Sequence, residues 1–528
     1  MKCLLVNPFY PISETPSPPL GLAYLAAAME NAGATVKILD YVVYPYSRNA
    51  LEDAVKEFSP DMVGVTCVTM TYENAATIVR DTRQIGDILT VMGGPHVSMC
   101  PEETMAALPE LDIVAIGEGD DTIVRLATEV QGERRWSQVP GIVYRDGDDI
   151  IATPFTAYSV DVRALPMPSR HLLPLGRYKA LNMPVSITTS RGCPFKCIFC
   201  VGRKMVGAKV RYRDPVKVVD ELETLKQMNF GQVNIADDLF TSNRRHCMGV
   251  CDEMLKRNLS LKWSSFARVD LVTPEILKKM KEAGCTAVSF GVETANPDML
   301  KTIKKGITIE QVLAAITACM DAGIYPHVSF ILGLPGETME TLEETQAFGE
   351  RLKAMGASYG FHLLAPFPGT EIRERAEALG IRILSNHWPD YHANKAIVET
   401  PGADSITLDR IAGQWNDDFD IFLGEIKEKM DAGTAAPEEA WQLISLENTV
   451  INYDLMMKTV LEDLGAWAIS KVDATPQQLL ADLAERVYAY TDYPADRVLE
   501  TLTWTLTTGS LTCTIEDGNV RWQWNDHL

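Results

Sequence analysis

Apolar and polar residues follow two different periodicities along the first quarter of the chain. Short runs of β-branched and other apolar residues have the length of buried strands, and the longer stretches between them place apolar residues at helical spacing. Strands are predicted over residues 2–6, 36–39, 62–66, 89–92 and 113–116, with helices near 21–32, 50–58, 73–85 and 102–108. This alternation is typical of a doubly wound parallel sheet with right-handed crossovers.

A second alternating series occupies the middle of the chain. Strands are predicted over residues 185–189, 232–235, 261–266, 287–290, 327–331 and 359–363, with amphipathic helices such as 216–228 between them. Six strand–helix repeats are fewer than the eight that close a TIM barrel. The pattern therefore predicts an open, partial (β/α)6 barrel.

The rest of the chain is a connecting segment and a mostly helical region. Residues 136–184 contain a predicted hairpin (141–144 with 150–153) and the proline-rich stretch 165–170. Beyond residue 371 the pattern predicts helices over 408–429, 447–464 and 476–488 and a final hairpin within 512–524. The predicted fold class is α/β, with domains at 1–135, 185–370 and 371–528 joined by the segment 136–184, and 528 residues suit about three domains.

Composition limits the classes of binding partner and the cellular compartment that suit this chain. A net charge of −22 disfavours a nucleic-acid binder, which needs a Lys/Arg footprint for the phosphate backbone. No run reaches the roughly 20 apolar residues of a membrane span, and the apolar start at residues 1–6 is too short for a signal peptide. Eleven scattered cysteines fit a reducing compartment. We therefore expect a cytoplasmic protein that binds neither nucleic acid nor membrane.

Small and polar residues cluster where the strands of the first sheet are predicted to end. In doubly wound sheets this edge holds the ligand. The four strand ends read Asn7-Pro8-Phe9-Tyr10, Thr66 to Tyr72, Gly93-Gly94-Pro95-His96 and Gly117-Glu118-Gly119-Asp120. Glycines there let the backbone approach a large ligand closely. The loops predict a cofactor rim, although glycine-rich loops are equally typical of tight turns.

Three cysteines with C-x3-C-x2-C spacing follow the first strand of the middle region. They are Cys193, Cys197 and Cys200, and no further Cys or His lies near them in sequence to complete a four-ligand zinc site. Three thiolates on a four-iron cluster leave one iron open to a small ligand. A structural zinc knuckle is the alternative. Cys247 and Cys251, four apart on a predicted helix, could hold a metal but are more typical of buried apolar thiols.

The cysteine motif, with Phe199 before its last thiol, resembles the signature of the radical S-adenosylmethionine (SAM) family. The resemblance implies that the three cysteines hold a 4Fe-4S cluster whose open iron chelates SAM, and that an electron from a flavodoxin- or ferredoxin-type donor then cleaves SAM to a 5'-deoxyadenosyl radical. It also implies SAM contacts at the barrel strand ends, namely Asp237 or Asp238 for the ammonium group, Arg268 and Glu293 for the carboxylate and ribose, and Leu332 and Gly333 for adenine. The family's Gly-Gly-Glu motif is missing.

The first domain resembles the cobalamin-binding domain of one large radical SAM subfamily, up to about residue 135. The resemblance rests on Pro18-Pro-Leu-Gly-Leu22, Asp61-Met-Val-Gly-Val65, Gly93-Gly-Pro-His96 and Gly117-Glu-Gly119. It implies cobalamin contacts at Tyr10, Leu20, Gly21, Thr66, Thr69, Met70, Thr71, Tyr72, Gly93, Gly94, His96, Gly117, Glu118 and Gly119, with residues 69–72 under the cobalt and His96 at the corrin periphery. The chain has no Asp-x-His-x-x-Gly motif, so we expect cobalamin without a histidine ligand.

These resemblances together imply a cobalamin-dependent radical SAM methyltransferase that acts on an unactivated carbon. By the family's logic, cobalamin takes a methyl group from one SAM, and a second SAM yields the radical that activates the acceptor. The acceptor could be a small metabolite or a protein or peptide side chain. Two alternatives stay open, a cyclase or ring-rearranging enzyme with the same cofactors and a non-catalytic cobalamin-binding regulator. Trp388, Tyr391, Trp415 and Tyr453 could line the acceptor pocket, although aromatic residues are more often packed in a core.

Overall fold

The first sheet contains seven strands in the order β2-β1-β3-β4-β5-β6-β7. The computed structural model describes residues 1–11, 16–155, 160–469 and 475–527. The strands are β1 (Lys2–Asn7), β2 (Thr35–Asp40), β3 (Met62–Thr66), β4 (Leu89–Gly93), β5 (Ile113–Ala115), β6 (Ile142–Asp146) and β7 (Asp149–Ala152). The helices are α1 (Leu20–Asn31), α2 (Arg48–Phe58), α3 (Tyr72–Ile85), α4 (Pro95–Met99), α5 (Pro101–Ala107) and α6 (Asp120–Gln131).

Strands β1 to β5 are parallel, which confirms the predicted doubly wound sheet. The chain order reverses at β1, which lies between β2 and β3, and such a reversal opens a crevice at the carboxyl ends of the strands. The hairpin β6–β7 pairs antiparallel to β5, with Val143 opposite Val114. The first sheet therefore continues to Ala152, past the boundary predicted at residue 135.

The second sheet contains six parallel strands in chain order and is not closed. Its strands are β8 (Val185–Ile187), β11 (Gln232–Ile235), β12 (Lys262–Ala267), β13 (Cys285–Glu293), β14 (Tyr325–Leu332) and β15 (Ser358–Leu363). A short antiparallel ribbon, β9 (Ser190–Arg191) with β10 (Arg211–Tyr212), encloses the cysteine motif. The helices of this region are α7 (Leu175–Ala180), α8 (Gly202–Val206), α9 (Pro215–Gln227), α10 (Arg244–Lys256), α11 (Pro274–Glu282), α12 (Pro297–Thr302), α13 (Ile309–Ala322), α14 (Met339–Ala354) and α15 (Glu371–Glu374). The predicted partial barrel is confirmed.

Side-chain caps explain where the barrel helices begin. A polar side chain just before each helix accepts a hydrogen bond from a first-turn amide, which would otherwise lack a partner. The capping residues are Asp214 for α9, Asn243 for α10, Thr273 for α11, Thr308 for α13 and Thr338 for α14. Each cap therefore fixes the residue at which a strand-to-helix loop ends and its helix begins.

The C-terminal region is mostly helical, as predicted, with a small sheet. It contains the strand pair β16 (Arg382–Ile383) and β17 (Val398–Glu399), helices α16 (Ser405–Asp431), α17 (Pro437–Met457), α18 (Val460–Leu464), α19 (Pro476–Val487) and α20 (Ala495–Thr507), and the sheet β18 (Ala466–Ala468), β20 (Asn519–Trp524), β19 (Leu511–Glu516). The single helix predicted over 447–464 is broken near Thr459, which adopts a left-handed φ of 51°. Strand β18 was not predicted.

The C-terminal region packs on the first domain through α7. Tyr178 is fully buried among C-terminal apolar residues, and its hydroxyl donates to Asp40 Oδ2 at 2.7 Å. Arg177 pairs with Asp526 at 2.7 Å and with Glu462 at 2.8 Å. These contacts tie the last residues of the chain to the end of β2. None of the helices in the described ranges is both long and apolar enough to cross a membrane.

Candidate active site

The three cysteines of the motif line one cavity of about 500 Å³, which the loop between β9 and β10 forms together with Lys304, Gly369 and Glu371. Gly192 has a φ of +120°, and a Cβ there would lie 2.8 Å from the Lys209 carbonyl carbon, so only glycine fits this turn. The Cys193 amide donates to the Gly207 carbonyl at 2.9 Å, which closes the loop. Burial raises the pKa of all three thiols, that of Cys200 to about 11.

The donor set of this cavity fits an iron–sulfur cluster. Thiolates are the ligands of such clusters, and a cluster held by three of them is negatively charged. Lys196, Arg203, Lys204 and Lys304 line the same cavity and supply positive charge. Among the described residues, the three thiols do not converge on a point that would suit a single metal ion.

Asp237 and Asp238, which follow β11, have different surroundings. Asp237 is buried and accepts hydrogen bonds from the Thr189 amide at 2.5 Å, the Thr189 hydroxyl at 2.6 Å and the Ser190 hydroxyl at 2.7 Å. It therefore fixes the segment that leads into the cysteine loop, and burial raises its pKa. Asp238 is exposed, and its Oδ1 lies 3.7 Å from where a Cβ of Gly202 would be, beside Cys200. Asp238 is the carboxylate of the pair that faces the cysteines.

Arg268, at the end of β12, packs against the cysteine loop. Its guanidinium lies 3.6 Å from the centroid of the Phe195 ring and pairs with Asp270 at 3.0 Å. It also donates to the Lys305 carbonyl at 2.8 Å. Its positive charge lowers the pKa of Cys193 and Cys197 against the effect of burial.

Glu293, at the end of β13, forms a buried ion pair with Lys305. The two side chains are within 2.6 Å, and Lys305 lies 5.8 Å from the ring centroid of Phe199. Glu293 has a φ of +74°, a conformation that costs a non-glycine residue about 1–3 kcal/mol and is concentrated at functional sites. A side chain at Gly291 would collide with this carboxylate. Lys305 was missed in the sequence because nothing in its spacing from the strands marks it.

The loop after β14 is closed on itself. Leu332 is buried, and Gly333 has a φ of +88° and donates its amide to Glu337 Oε2 at 3.2 Å. The Thr341 hydroxyl donates to the other Glu337 oxygen at 2.6 Å. Burial raises the pKa of Glu337 to about 7.

A second cavity of about 280 Å³ lies at the carboxyl edge of the first sheet, with a mostly apolar lining. Seven of the residues predicted for the rim line it: Gly21, Thr66, Gly93, Gly94, Gly117, Glu118 and Gly119. A Cβ on Gly94 would lie 2.6 Å from the Cys67 carbonyl oxygen, and one on Gly119 would lie 3.1 Å from Leu25. Gly94 is therefore needed where its backbone passes that of Cys67, and an apolar space of this kind fits part of a large organic cofactor.

The loop over residues 69–72 forms a separate cluster with His96. Residues Thr69–Thr71 make a 3-10 turn, and His96 Nδ1 lies 3.3 Å from the Thr69 hydroxyl. The His96 ring is buried between Tyr72 and Trp388, whose ring centroids lie 4.9 and 5.0 Å away. Burial lowers the pKa of His96 to about 4, so the imidazole is neutral. Met70 is the one side chain of residues 69–72 that is partly exposed.

A set of ion pairs, here called the Glu118 clamp, joins the two cavities. Glu118 accepts from Arg211 at 2.8 and 2.9 Å and from Arg191 at 3.3 Å, and Arg191 also pairs with Asp120 at 2.7 Å. Arg191 lines the first-sheet cavity, and Cys193, two residues later, lines the cysteine cavity. One carboxylate of the first domain thus holds both ends of the cysteine loop.

Two family models match the regions of the chain that carry these two cavities. The radical SAM superfamily model matches residues 187–349, and the B12 binding domain model matches residues 13–127. An uncharacterized methyltransferase of Pyrococcus horikoshii is 34% identical over 399 residues, which is 74% of this chain and 86% of the relative. The chain belongs to the cobalamin-dependent radical SAM methyltransferase family.

Other relatives and solved structures extend the comparison. An anaerobic magnesium-protoporphyrin IX monomethyl ester cyclase of Rubrivivax gelatinosus is 32% identical over 443 residues, 76% of this chain and 79% of the relative. The cobalamin-dependent SAM radical enzyme OxsB has a TM-score of 0.69 at 20% identity, over 96% of this chain and 78% of that one. The methyltransferase TsrM of Kitasatospora setae has a TM-score of 0.64 at 18% identity, over 96% and 99%. These two structures support the shared fold.

The cofactors of this radical SAM methyltransferase family member are a 4Fe-4S cluster, SAM and cobalamin, as predicted. Around the cysteine loop the structure gathers Phe199, Asp238, Arg268 and Glu293, whereas Asp237 is turned toward Thr189. In the first domain, the predicted cobalamin contacts fall into two groups, one at the glycine-lined cavity and one formed by the 69–72 loop with His96. Tyr10 and Leu20 join neither group, because Tyr10 packs against C-terminal apolar residues and Leu20 packs beside Tyr24.

Proposed function

We propose that this enzyme moves a methyl group from SAM, by way of cobalamin, to an unactivated carbon. The observation that carries the proposal is the closeness of the two cavities, since only Gly192 separates Arg191 of one from Cys193 of the other along the chain. Two cofactors that act on the same carbon must be held side by side, and water and oxygen must be kept from both.

The residues of the cysteine cavity have distinct proposed tasks. Cys193, Cys197 and Cys200 would hold the cluster, and Asp238 would bind the ammonium group of SAM, because an exposed carboxylate beside the cluster is the natural partner of that cation. Arg268 and Lys305 add positive charge next to the thiolates. Bound there, the cluster and SAM supply a carbon-centred radical, and cobalamin supplies the methyl group.

The residues of the first domain would bind cobalamin without a histidine ligand. The glycine-lined cavity would take an organic portion of the cofactor. Both ring nitrogens of His96 already have partners, the Thr69 hydroxyl at 3.3 Å and the Cys100 thiol at 3.7 Å, and Trp388 covers the ring. His96 is therefore not placed to bind cobalt. Met70, the one partly exposed side chain of the 69–72 loop, is the side chain that we propose contacts the corrin face.

Anaerobic reconstitution tests the proposal. The protein is loaded with iron, sulfide and cobalamin and given SAM with a deuterated methyl group, a strong reductant and candidate acceptors, including peptides. We expect a deuterated methyl group on carbon in the product, detected by mass spectrometry. Cys193→Ala should abolish both the iron content and the product, and Cys247→Ala, a substitution at a buried thiol on α10, should leave both intact. Zinc in place of iron, or equal effects of the two substitutions, would refute the assignment.

A second candidate is a cyclase that uses the same cofactors. The observation that favours it is the 32% identity to the magnesium-protoporphyrin IX monomethyl ester cyclase. Such a reaction leaves no methyl group from SAM in the product. Label retained in the product supports the methyltransferase, and SAM cleavage with an unlabelled, oxidised product supports the cyclase. In both cases the enzyme needs an external reductant, and the methyltransferase also needs a methyl acceptor.

A further inference from the structure

The inner face of the barrel sheet carries a continuous row of side chains from four strands. Phe266 pairs in register with Ser289, Ser289 with His327, and His327 with Ser358. Residues paired across parallel strands point to the same side of a sheet. Phe330 lies three residues after His327 on β14, so the two side chains point to opposite faces of the sheet. Phe330 contacts Phe348 of α14 and therefore points outward to the helices. The row from Phe266 to Ser358 consequently faces the lumen of the barrel.

Phe266 is unusual in this row because it is a large apolar side chain left 47% exposed within a sheet whose other face is a packed core. Its neighbours in the row are small hydroxyl residues and one histidine, so they leave space beside the ring. An exposed aromatic ring over an open space is a typical ligand contact.

Helix α16 provides a second aromatic wall at the opposite edge. Trp415 packs against β15 at Gly360, where a Cβ would be in ordinary van der Waals contact with Trp415 at 3.8 Å and with His327 at 3.7 Å. Trp415 and His327 therefore meet on the lumen side of β15. The Trp415 ring is nearly parallel to that of Phe419, with centroids 6.2 Å apart and planes 4° apart, and Phe419 is 40% exposed.

The polar groups between the two walls are neutral hydrogen-bonding groups. His327 Nδ1 lies 2.8 Å from the Ser358 hydroxyl, and burial lowers the pKa of His327. The cations nearest the mouth are already paired, Arg268 with Asp270 and Lys305 with Glu293. Neither cation is therefore free to pair with an anionic ligand.

We propose that the methyl acceptor is a flat, uncharged ring compound, or a side chain bearing such a ring, which binds between Phe266 and Trp415 with its polar edge toward His327. Stacking on each ring fits a flat π-system and gives little to a puckered aliphatic ring. This inference rests on the proposed function, since it assigns the acceptor of that reaction. Phe266 and Trp415 are then specificity-determining residues.

Saturation-transfer NMR on the reconstituted holoenzyme tests the inference without turnover. The probes are indole, cyclohexanol and benzoate, which are a flat neutral ring, a puckered neutral ring and a flat anion. We expect indole to bind most tightly. We also expect Phe266→Leu and Trp415→Leu each to weaken indole binding about tenfold, the loss of one aromatic contact of about 1.4 kcal/mol. Trp441→Leu is the matched control, because Trp441 on α17 is 63% exposed but lies outside the row.

The outcomes separate this inference from the proposed function. Indole binding that both lumen substitutions weaken supports the ring site, even where no methylated product is found. Preference for benzoate or cyclohexanol, or equal indole binding by both lumen variants and the Trp441 control, would overturn it, even where methyl transfer occurs. If one lumen variant does not fold, the other carries the same test.

Discussion

Removing the negative charge of the Glu118 clamp is expected to loosen the cysteine loop specifically. Glu118→Gln keeps the size of the side chain but leaves Arg191 and Arg211, which are 15% and 14% exposed, without their shared carboxylate. Loss of one partner of a buried ion pair costs about 3–5 kcal/mol. Asp120 still holds Arg191, and the Val160 and Val206 carbonyls still hold Arg211, so we expect a smaller cost than this, of about 2 to 3 kcal/mol.

Hydrogen exchange followed by mass spectrometry measures this loss where it occurs. A change of about 2 to 3 kcal/mol in local opening corresponds to about 30- to 150-fold faster exchange. The effect should appear in peptides covering residues 190–213, where the Cys193 amide donates to Gly207 and the Arg213 amide to Thr189. Peptides from α13 should be unchanged.

Glu374→Gln is the matched control. Glu374 pairs with Lys204, next to the same loop, at 2.9 Å, but both side chains are about half exposed (55% and 52%). Exposed pairs contribute about 0–1 kcal/mol, so exchange in residues 190–213 should rise by no more than about fivefold. Unchanged exchange in Glu118→Gln, or equal exchange in the two variants, would refute the reasoning that one carboxylate holds both ends of the loop.

Three further predictions concern the backbone, the histidines and a buried acid. Gly192→Ala should lower the iron bound after reconstitution severalfold, because the added Cβ meets the Lys209 carbonyl. Gly231→Ala, with open space around the new Cβ, should bind as much iron as wild type. Equal iron content in the two variants would contradict this prediction. In NMR titrations of the eight histidines, His96 and His246 should stay neutral at pH 5.5, since burial lowers the pKa of each to about 4, and His96→Gln should remove one of these two signals. Burial raises the pKa of Glu337 to about 7, so its contribution to stability is present below pH 4.5 and is lost as pH rises to 7. Glu337→Gln should therefore gain about 2 to 3 kcal/mol relative to wild type between pH 5 and pH 8, seen as a rising difference in melting temperature, and a difference that is constant with pH would count against it.

Periodicity and motif spacing predicted the architecture because they reflect local chain properties. Six barrel strands and five parallel strands of the first sheet lie where alternating patterns put them, and the cysteines occur at one loop as their spacing implied. The hairpin β6–β7 was predicted as a hairpin but not as part of the first sheet, since its partner β5 is chosen by packing rather than by sequence distance.

The directions of the side chains at the site could not be predicted from the sequence. Asp237 and Asp238 are adjacent and identical, yet one is bound by Thr189 and the other is open, because their directions depend on how the loop after β11 packs. Lys305 reaches Glu293 only through the tertiary fold. The enclosure of His96 by Trp388 joins residues almost three hundred positions apart, which no local pattern records.

Helix α16 packs against β15, the edge strand of the barrel sheet, and places Trp415 on its lumen side. An uncovered edge strand invites pairing with other chains, so a fragment ending near residue 370 should aggregate rather than serve as a minimal catalytic unit. Trp415 therefore serves two purposes, because the same side chain packs on the edge strand and lines the proposed acceptor site.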